Sequence, residues 1–301
     1  MGFSASDAAF EGFRITRERP LPVLLWSLVY LVVAAIGSAL MVLTLGPDMG
    51  RLAEMTPEAS SNPEEVLAMV PVMAKVYAIA LPLGLIWLAI FSAAIYRTVL
   101  RPSDTRFGYL RLSGDELRLT LLYIVLLLIT FVVLFASTIV GTLAAMPLVA
   151  VAGPVGGALV MTALTMLGVV AAMAWVGVRL SLTGPWTFNT GKIDLKGAWL
   201  LTRGRFWPML GAYILAVVLA TIVGVLGLVI ILAAATVTGG GLSDISQPDY
   251  SSLAGYFTPT RIVQLVVSAV VSTLQYVILL APAAAIYRAL AAETVPEEAF
   301  T

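Results

Sequence analysis

The run LPLGLIWLAIFSAAIYR at residues 81–97 carries no charge until its last residue, Arg97. Its closing pentapeptide, Ala-Ala-Ile-Tyr-Arg, occurs again at 284–288, also at the end of a long apolar run. A second echo opens such runs, with Thr-Arg-Glu-Arg at 16–19 and Thr-Arg-Gly-Arg at 202–205. These paired echoes predict a membrane protein built from repeated helical hairpins, with its arginines at one depth.

The composition excludes several classes of protein. Hydrophobic residues make up 60% of the 301 positions, charged residues 11%, and the mean hydropathy is +1.00, far outside the range of soluble globular proteins. The chain has no cysteine and no histidine, so the commonest nucleophiles, general bases and metal ligands are missing. A formal net charge of zero argues against nucleic-acid binding. We expect no enzymatic activity, no metal and no cofactor.

Six segments are long and apolar enough to cross a hydrocarbon core of about 30 Å, which takes roughly 20 helical residues. Helix is the expected state, because each span must satisfy its own backbone groups and none alternates like a barrel strand. The sequence therefore predicts an all-α, polytopic bundle in a single integral membrane domain, 1–301. Its predicted spans are Val23–Leu45, Val76–Tyr96, Leu119–Leu143, Leu159–Val178, Met209–Ala233 and Ile262–Tyr287.

Helix-start signals mark several boundaries of these spans. Ser113 to Glu116 form a capping box before the third span, and Thr258-Pro259 opens the sixth. A short helix is predicted from Thr56, and the Gly- and Ser-rich stretch Thr238–Tyr256 is predicted as a surface loop. The N-terminus does not read as a cleavable signal peptide, because its charges are mixed and no small-residue cleavage site follows.

The distribution of basic residues predicts the orientation. With a cytoplasmic N-terminus, 14 of the 17 Lys and Arg residues fall in cytoplasmic segments, and Arg51, Lys75 and Arg261 remain outside. Such an asymmetry is the positive-inside signal. We therefore expect a bacterial inner-membrane protein with both termini in the cytoplasm. Lys75 lies about 22 residues from Arg97 along one helix, which puts it near the outer interface.

The chain divides into three similar units, at about 1–101, 102–182 and 183–301. Each unit is a hairpin that ends at a cytoplasmic-side arginine. A short basic lead-in precedes each hairpin, and its aromatic spacing favours an interfacial helix over a plain basic loop. The three lead-ins are Asp7–Arg19, Phe107–Arg118 and Asp194–Trp207.

Arginines at the hairpin ends are the best candidates for a binding site. Arginine suits phosphate because its rigid guanidinium presents a fork of donors. If the hairpins surround an axis, these arginines converge and can clamp an anionic lipid headgroup; otherwise they complement helix dipoles and anchor the interface. The candidates are the terminal residues Arg97, Arg179 and Arg288, with Arg203 and Arg205 of the third lead-in.

Small residues recur every fourth position in three spans, including Gly168 and Ala172 in the fourth, which allows close approach of helix backbones. They predict packing either within the chain or between copies. The fifth span carries Ala212, Ala216, Ala220 and Gly224, and the third carries Ser137, Gly141 and Ala145. Gln275 gives the sixth span a polar position, suited to interhelical hydrogen bonding or to lining a cavity.

One stretch of the chain carries a resemblance to a known family. Val178-Arg179-Leu180 ends a span, Gly184-Pro185 follows, and residues 198–207 (AWLLTRGRFW) lead into the next span. Residues 174–215 thereby resemble the multi-span domain found upstream of bacterial glycerophosphodiester phosphodiesterases and related six-span bacterial proteins. The resemblance implies a six-helix inner-membrane protein, without the catalytic domain or its histidines.

Two functions remain open from the sequence. One is a non-enzymatic membrane protein that binds or organises lipid, or serves as an accessory to a membrane complex. The other is a small transporter or channel for an apolar or zwitterionic solute. The expected partners are membrane lipids, anionic ones included, and a second copy or another membrane protein. A proton-coupled pump is disfavoured, because no Asp or Glu lies in the core of any span.

Overall fold

A computed structural model describes residues 3–53 and 63–293, so the helix predicted from Thr56 lies outside the described residues. Within these residues the chain is all-α and forms no strand. A 3₁₀ turn at Arg106–Tyr109 separates the third helix from the fourth. The α-helices are α1 (Ala5–Glu18), α2 (Pro20–Ala53), α3 (Pro63–Leu100), α4 (Gly114–Leu180), α5 (Thr183–Thr190), α6 (Leu195–Leu201), α7 (Phe206–Thr238), α8 (Gly241–Ser246), α9 (Leu253–Tyr256) and α10 (Pro259–Glu293).

The six predicted spans are confirmed as helices long and apolar enough to cross a membrane. Their faces expose many large aliphatic side chains, as expected for helices that contact lipid. The spans found within the described residues are Pro20–Asp48, Leu67–Leu100, Arg106–Pro147, Gly156–Thr190, Phe206–Thr238 and Pro259–Ala292.

The third and fourth spans are two arms of α4, which reverses at Gly153. Gly153 has φ 75° and ψ 176°, a conformation that residues with a Cβ rarely adopt. The arms then run antiparallel at very short range. A Cβ built on Gly141 would lie 2.9 Å from Thr165 Cα, so only glycine permits this approach. Gly141 therefore lies where the two arms of α4 closely approach each other.

The last helix, α10, lies at the centre of the bundle and packs against α1, α2, α3 and α7. Four of the other helices thus pack around α10, the helix that carries Arg288. Gln275 of α10 donates a hydrogen bond from Nε2 to the carbonyl oxygen of Ala220 in α7, at 3.1 Å. The interhelical use of Gln275 is thus the one observed.

The stripe of small residues on α7 serves packing within the chain. Ala212, Ala216 and Ala220 are buried. A Cβ on Gly224 would lie 2.6 Å from Gln275 Nε2, which shows how closely α10 approaches this face. In the third span Ala145 is buried, and the half-buried Ser137 donates its hydroxyl to the Leu134 carbonyl of its own helix.

The three lead-ins differ from one another in structure. The first forms α1, but one of its faces is buried: a Cβ on Gly12 would lie 2.6 Å from Ile278 Cα in α10. The second was predicted as an interfacial helix, and this is wrong. Phe107, Gly108 and Tyr109 all have positive φ, and a regular helix starts only at Gly114. The third contains the short helix α6, which Asp194 caps by accepting a hydrogen bond from Gly197 N.

Two connections contain helix that the sequence did not predict. The link around Gly184-Pro185 forms α5, with Thr183, Thr187 and Phe188 buried. The surface loop predicted over Thr238–Tyr256 includes α8 and α9. Burial against neighbouring spans, rather than intrinsic helix propensity, accounts for α5, because threonine, glycine and proline are poor helix formers.

The helix ends that bear Arg97, Arg179 and Arg288 form one end of the bundle, which we call the arginine end. At the opposite end the Lys75 ammonium lies 2.9 Å from an Asp48 carboxylate oxygen, and Thr238 and Thr260 share a hydrogen bond of 2.7 Å. Lys75 is therefore far from the arginines, as its spacing from Arg97 predicted. It sits in a half-exposed ion pair rather than within the bundle.

Substitution of Gly141 tests the close approach of the two arms of α4. We expect Gly141→Val to lower the free energy of unfolding by about 1–3 kcal/mol, because the added side chain meets Thr165 backbone and forces the arms apart. Thermal unfolding in detergent measures this loss. Gly168→Val, on the second arm where a Cβ meets nothing within 4 Å, is the matched control. Equal destabilisation by the two variants would contradict the packing assignment.

Candidate functional site

Arg97 is fully buried at the arginine end and bound within the protein. Its guanidinium forms an ion pair with Glu116 and donates a 2.9 Å hydrogen bond to the Tyr109 carbonyl. Glu116 also accepts from the Ser113 backbone N–H at 2.7 Å, which completes the predicted capping box. With no exposed surface and a carboxylate partner, Arg97 offers nothing to a lipid headgroup.

The segment between α3 and α4 is held by side chains from three elements. Trp26 of α2 donates from Nε1 to the Gly108 carbonyl at 2.7 Å, and Arg19 donates to the Tyr109 hydroxyl. Arg101 reaches the Phe188 carbonyl in α5 at 3.0 Å. The positive φ values at 107–109 are therefore maintained by tertiary hydrogen bonds, and the segment has a structural role.

Helix α5 lies between the two copies of the Ala-Ala-Ile-Tyr-Arg pentapeptide. The Tyr96 ring of the first copy packs edge-on against Phe188, with centroids 5.9 Å apart. The Tyr287 ring of the second packs against Trp186 at 6.1 Å, and its hydroxyl accepts a 3.0 Å hydrogen bond from Asn189. Both tyrosines thus contact one short helix. The repeated pentapeptide is therefore the part of α3 and of α10 that packs against α5.

Arg288 lies between α1 and the end of α3 that carries Arg97. It donates to the Val99 carbonyl at 3.2 Å, and its guanidinium lies 3.5 Å from the Glu11 carboxylate. Glu11 is buried and also pairs with Arg14 at 2.5 Å. Arg288 therefore fastens α1 to the C-terminal part of α10. Its side chain is half exposed, and it shares the Glu11 carboxylate with Arg14.

Arg179 and the third lead-in form a separate group at the end of α4. The Arg179 guanidinium lies over the Trp199 ring at 5.7 Å and donates to the Thr202 hydroxyl at 3.4 Å. Trp199 in turn meets Trp175 edge-on at 5.1 Å. Arg203 is exposed, and Arg205 is half buried at the start of α7. Of the five arginine candidates, only Arg179, Arg203 and Arg205 belong to one region.

This region presents alternating cationic and apolar side chains at the surface. Leu200 is 53% exposed and Trp207 is 77% exposed, values unusual for such residues unless lipid covers them. Lys196 lies one turn of α6 before Leu200, and Arg203 lies in the turn between α6 and α7, four positions before Trp207. We call this set the α6 surface; its exposed residues are Lys192, Ile193, Lys196, Leu200, Arg203 and Trp207.

Sequence reasoning missed the two acidic partners, Glu116 and Glu11. Glu116 was recognised only as a capping residue, and Glu11 as part of a mixed-charge stretch. A signal for Glu116 existed, since a carboxylate at a span start lies at the same membrane depth as an arginine at the preceding span end. Among the described residues no three Asp or Glu side chains come together as a metal-binding group.

Comparison with known proteins adds no assignment. No family model matches the chain, and neither a curated protein nor a solved structure matches it.

The Arg97–Glu116 pair yields a stability prediction. We expect Arg97→Met to cost about 3–5 kcal/mol, because Glu116 is left as a buried, unpaired carboxylate. Arg111→Met, which breaks the more exposed pair between Arg111 and Asp104, should cost less than about 1 kcal/mol. Thermal unfolding in detergent compares the two variants. Similar costs would show that Arg97 contributes no more than an ordinary interfacial pair.

Proposed function

We propose that the protein is a non-enzymatic membrane protein that binds and organises anionic lipid at the cytoplasmic face of a bacterial inner membrane. The α6 surface is the observation that carries this proposal. It combines three exposed cations with three exposed apolar side chains. Such a surface suits the headgroup boundary, where apolar residues enter the acyl region and cations meet phosphates.

Electrostatics favour anionic over zwitterionic lipid at this surface. Each Lys or Arg next to an anionic membrane contributes about 1 kcal/mol, and Lys192, Lys196 and Arg203 are all exposed. Trp199 and Trp207 are interfacial residues by type and fix the depth of the cations. Arg179 supports the surface from beneath through Trp199 and Thr202.

The orientation proposed here places the arginine end in the cytoplasm. The excess of Lys and Arg in the segments at that end supports it, and both termini then lie inside. The resemblance of residues 174–215 to the membrane domain of bacterial phosphodiesterases falls on the segment that forms the α6 surface. The absence of histidine and cysteine from the sequence supports a role without catalysis.

Lipid retention tests this proposal. The full chain is reconstituted in vesicles of equal parts phosphatidylglycerol and phosphatidylcholine, then solubilised gently for native mass spectrometry. We expect the native protein to retain phosphatidylglycerol preferentially. The Lys192→Gln/Lys196→Gln/Arg203→Gln variant should lose about a hundredfold of that preference, from about 1 kcal/mol per cation.

A second triple variant controls for net charge. Arg14→Gln/Arg17→Gln/Arg106→Gln removes the same charge from the arginine end but leaves the α6 surface intact. It should keep the preference for phosphatidylglycerol. If both variants lost the preference for phosphatidylglycerol equally, the preference would come from net charge and not from the α6 surface. The proposal would then be wrong.

A further inference from the structure

A cavity of about 280 Å³ lies within the bundle, beside the central helix α10. It is enclosed by α3, both arms of α4, α5, α7 and α10. Gly177 and Leu279 on its wall are exposed, so the cavity reaches the lipid-facing surface of the bundle. Its volume is near the lower limit for small-molecule sites, which begins at about 300 Å³. It can take one end of a lipid molecule.

Hydroxyl groups gather at the end of the cavity nearest the arginine end. Tyr96 and Tyr123 lie with their hydroxyl oxygens 3.4 Å apart, so one of them donates to the other. The Tyr213 hydroxyl is buried without a hydrogen-bond partner. Ser181 and Thr183 already donate to backbone carbonyls, at 2.8 and 2.6 Å.

One of these hydroxyls is left as a buried donor without an acceptor. The Tyr96–Tyr123 contact uses one tyrosine hydrogen and Ser92 lies beside Tyr123 as an acceptor for another, whereas Tyr213 has no hydrogen-bond partner. A buried donor without an acceptor costs about 1–3 kcal/mol. An occupant that supplies one or two acceptor oxygens would therefore relieve an unfavourable state, whereas a hydrocarbon alone would not.

The occupant should also be uncharged at this point. The wall contains no Asp, Glu, Lys or Arg. A carboxylate or phosphate would lose its hydration without gaining a cation, which is far more costly than burying a neutral carbonyl. The cavity chemistry thus excludes the headgroup phosphate and favours an ester carbonyl.

Depth in the bilayer agrees with this chemistry. Tyr96 immediately precedes Arg97 at the arginine end, while Leu88 lies about 12 Å further into the membrane by helical rise. Around Leu88 the wall is mainly apolar, with Leu126, Met173 and Leu280, and includes one threonine, Thr130. A glycerolipid has the same order along its length, with ester carbonyls just inside the headgroup layer and acyl chains below.

We propose that this cavity binds the ester-linked end of a bilayer glycerolipid acyl chain, with the Tyr213 hydroxyl and the Tyr96–Tyr123 pair as donors to the ester carbonyl. The inference deepens the proposed lipid binding and rests on it only in taking a membrane lipid as the ligand. The α6 surface binds the negative charge of the headgroup. The cavity binds the ester bond that joins glycerol to the acyl chain.

A photoactivatable lipid tests the site. The full chain is reconstituted with phosphatidylcholine that carries a diazirine in one acyl chain. A parallel sample contains the diether analogue, which carries the same diazirine but lacks the ester carbonyl groups. We expect the ester lipid to label peptides that contain residues 173–180 and Tyr213 more strongly than the ether lipid does. Tyr213→Phe should reduce the ester-to-ether ratio about three- to tenfold, the effect of one lost hydrogen bond. Tyr77→Phe, at an exposed tyrosine outside the cavity, should leave the ratio unchanged.

Gly177 allows the cavity to be filled without a clash. A Cβ at Gly177 meets nothing within 4 Å, so Gly177→Leu projects its side chain into free space on the cavity wall. Labelling of the cavity peptides should fall about tenfold or more, because the pocket is then too small. Gly168→Leu, nine residues earlier on the same arm and also without a neighbour within 4 Å, should label like the native protein.

The outcomes separate this site from the α6 surface. Phosphatidylcholine carries no net charge, so the triple glutamine variant of the α6 surface should label as the native protein does. Equal labelling of the Gly177→Leu and Gly168→Leu variants would overturn the cavity site, as would an ester-to-ether ratio that Tyr213→Phe leaves unchanged. Neither result would change the headgroup experiment, in which the triple variant is expected to lose its preference for phosphatidylglycerol.

Discussion

The buried pair between Arg97 and Glu116 is the interaction on which the arginine end depends. An arginine without exposed surface at a membrane boundary is tolerable only with a carboxylate partner and further acceptors. Glu116 is available because the capping box starts α4 at that position, and Tyr109 supplies its carbonyl because the preceding turn is left-handed. One pair thus sets the start of α4 and the path of the segment before it.

Several other contacts follow from that path. The segment before α4 presents the Gly108 carbonyl to Trp26 and the Tyr109 hydroxyl to Arg19, which positions the start of α2. Arg101 then links α3 to α5, which both pentapeptide copies contact. The arginine end is therefore a network in which short connections, rather than hairpin partners, hold the spans together.

The spans and the capping box could be predicted from sequence because their signals are local. A run of apolar residues longer than a bilayer core decides its own state, and a cap involves residues within four positions. The fate of Arg97 could not be predicted in the same way, since its partner depends on which spans are neighbours. Helix α5 was missed for a related reason: its sequence, TGPWTFNT, has weak helix propensity and is stabilised by Tyr96 and Tyr287 from elsewhere. In the candidate site, the basic and aromatic pattern of the α6 surface was visible, but the cavity was not, because its wall combines residues from five helices.

The docking of α1 on α10 has a consequence for biosynthesis. Gly12 and Glu11 belong to α1, whereas Ile278 and Arg288, which receive them, are made about 270 residues later. At a synthesis rate of about 5–20 residues per second, α1 waits on the order of 15–50 s for its partner. During that interval Glu11 has only Arg14 as a counter-ion, and the glycine face of α1 has no helix against it. Helix α1 can therefore complete its contacts only after α10 has been made.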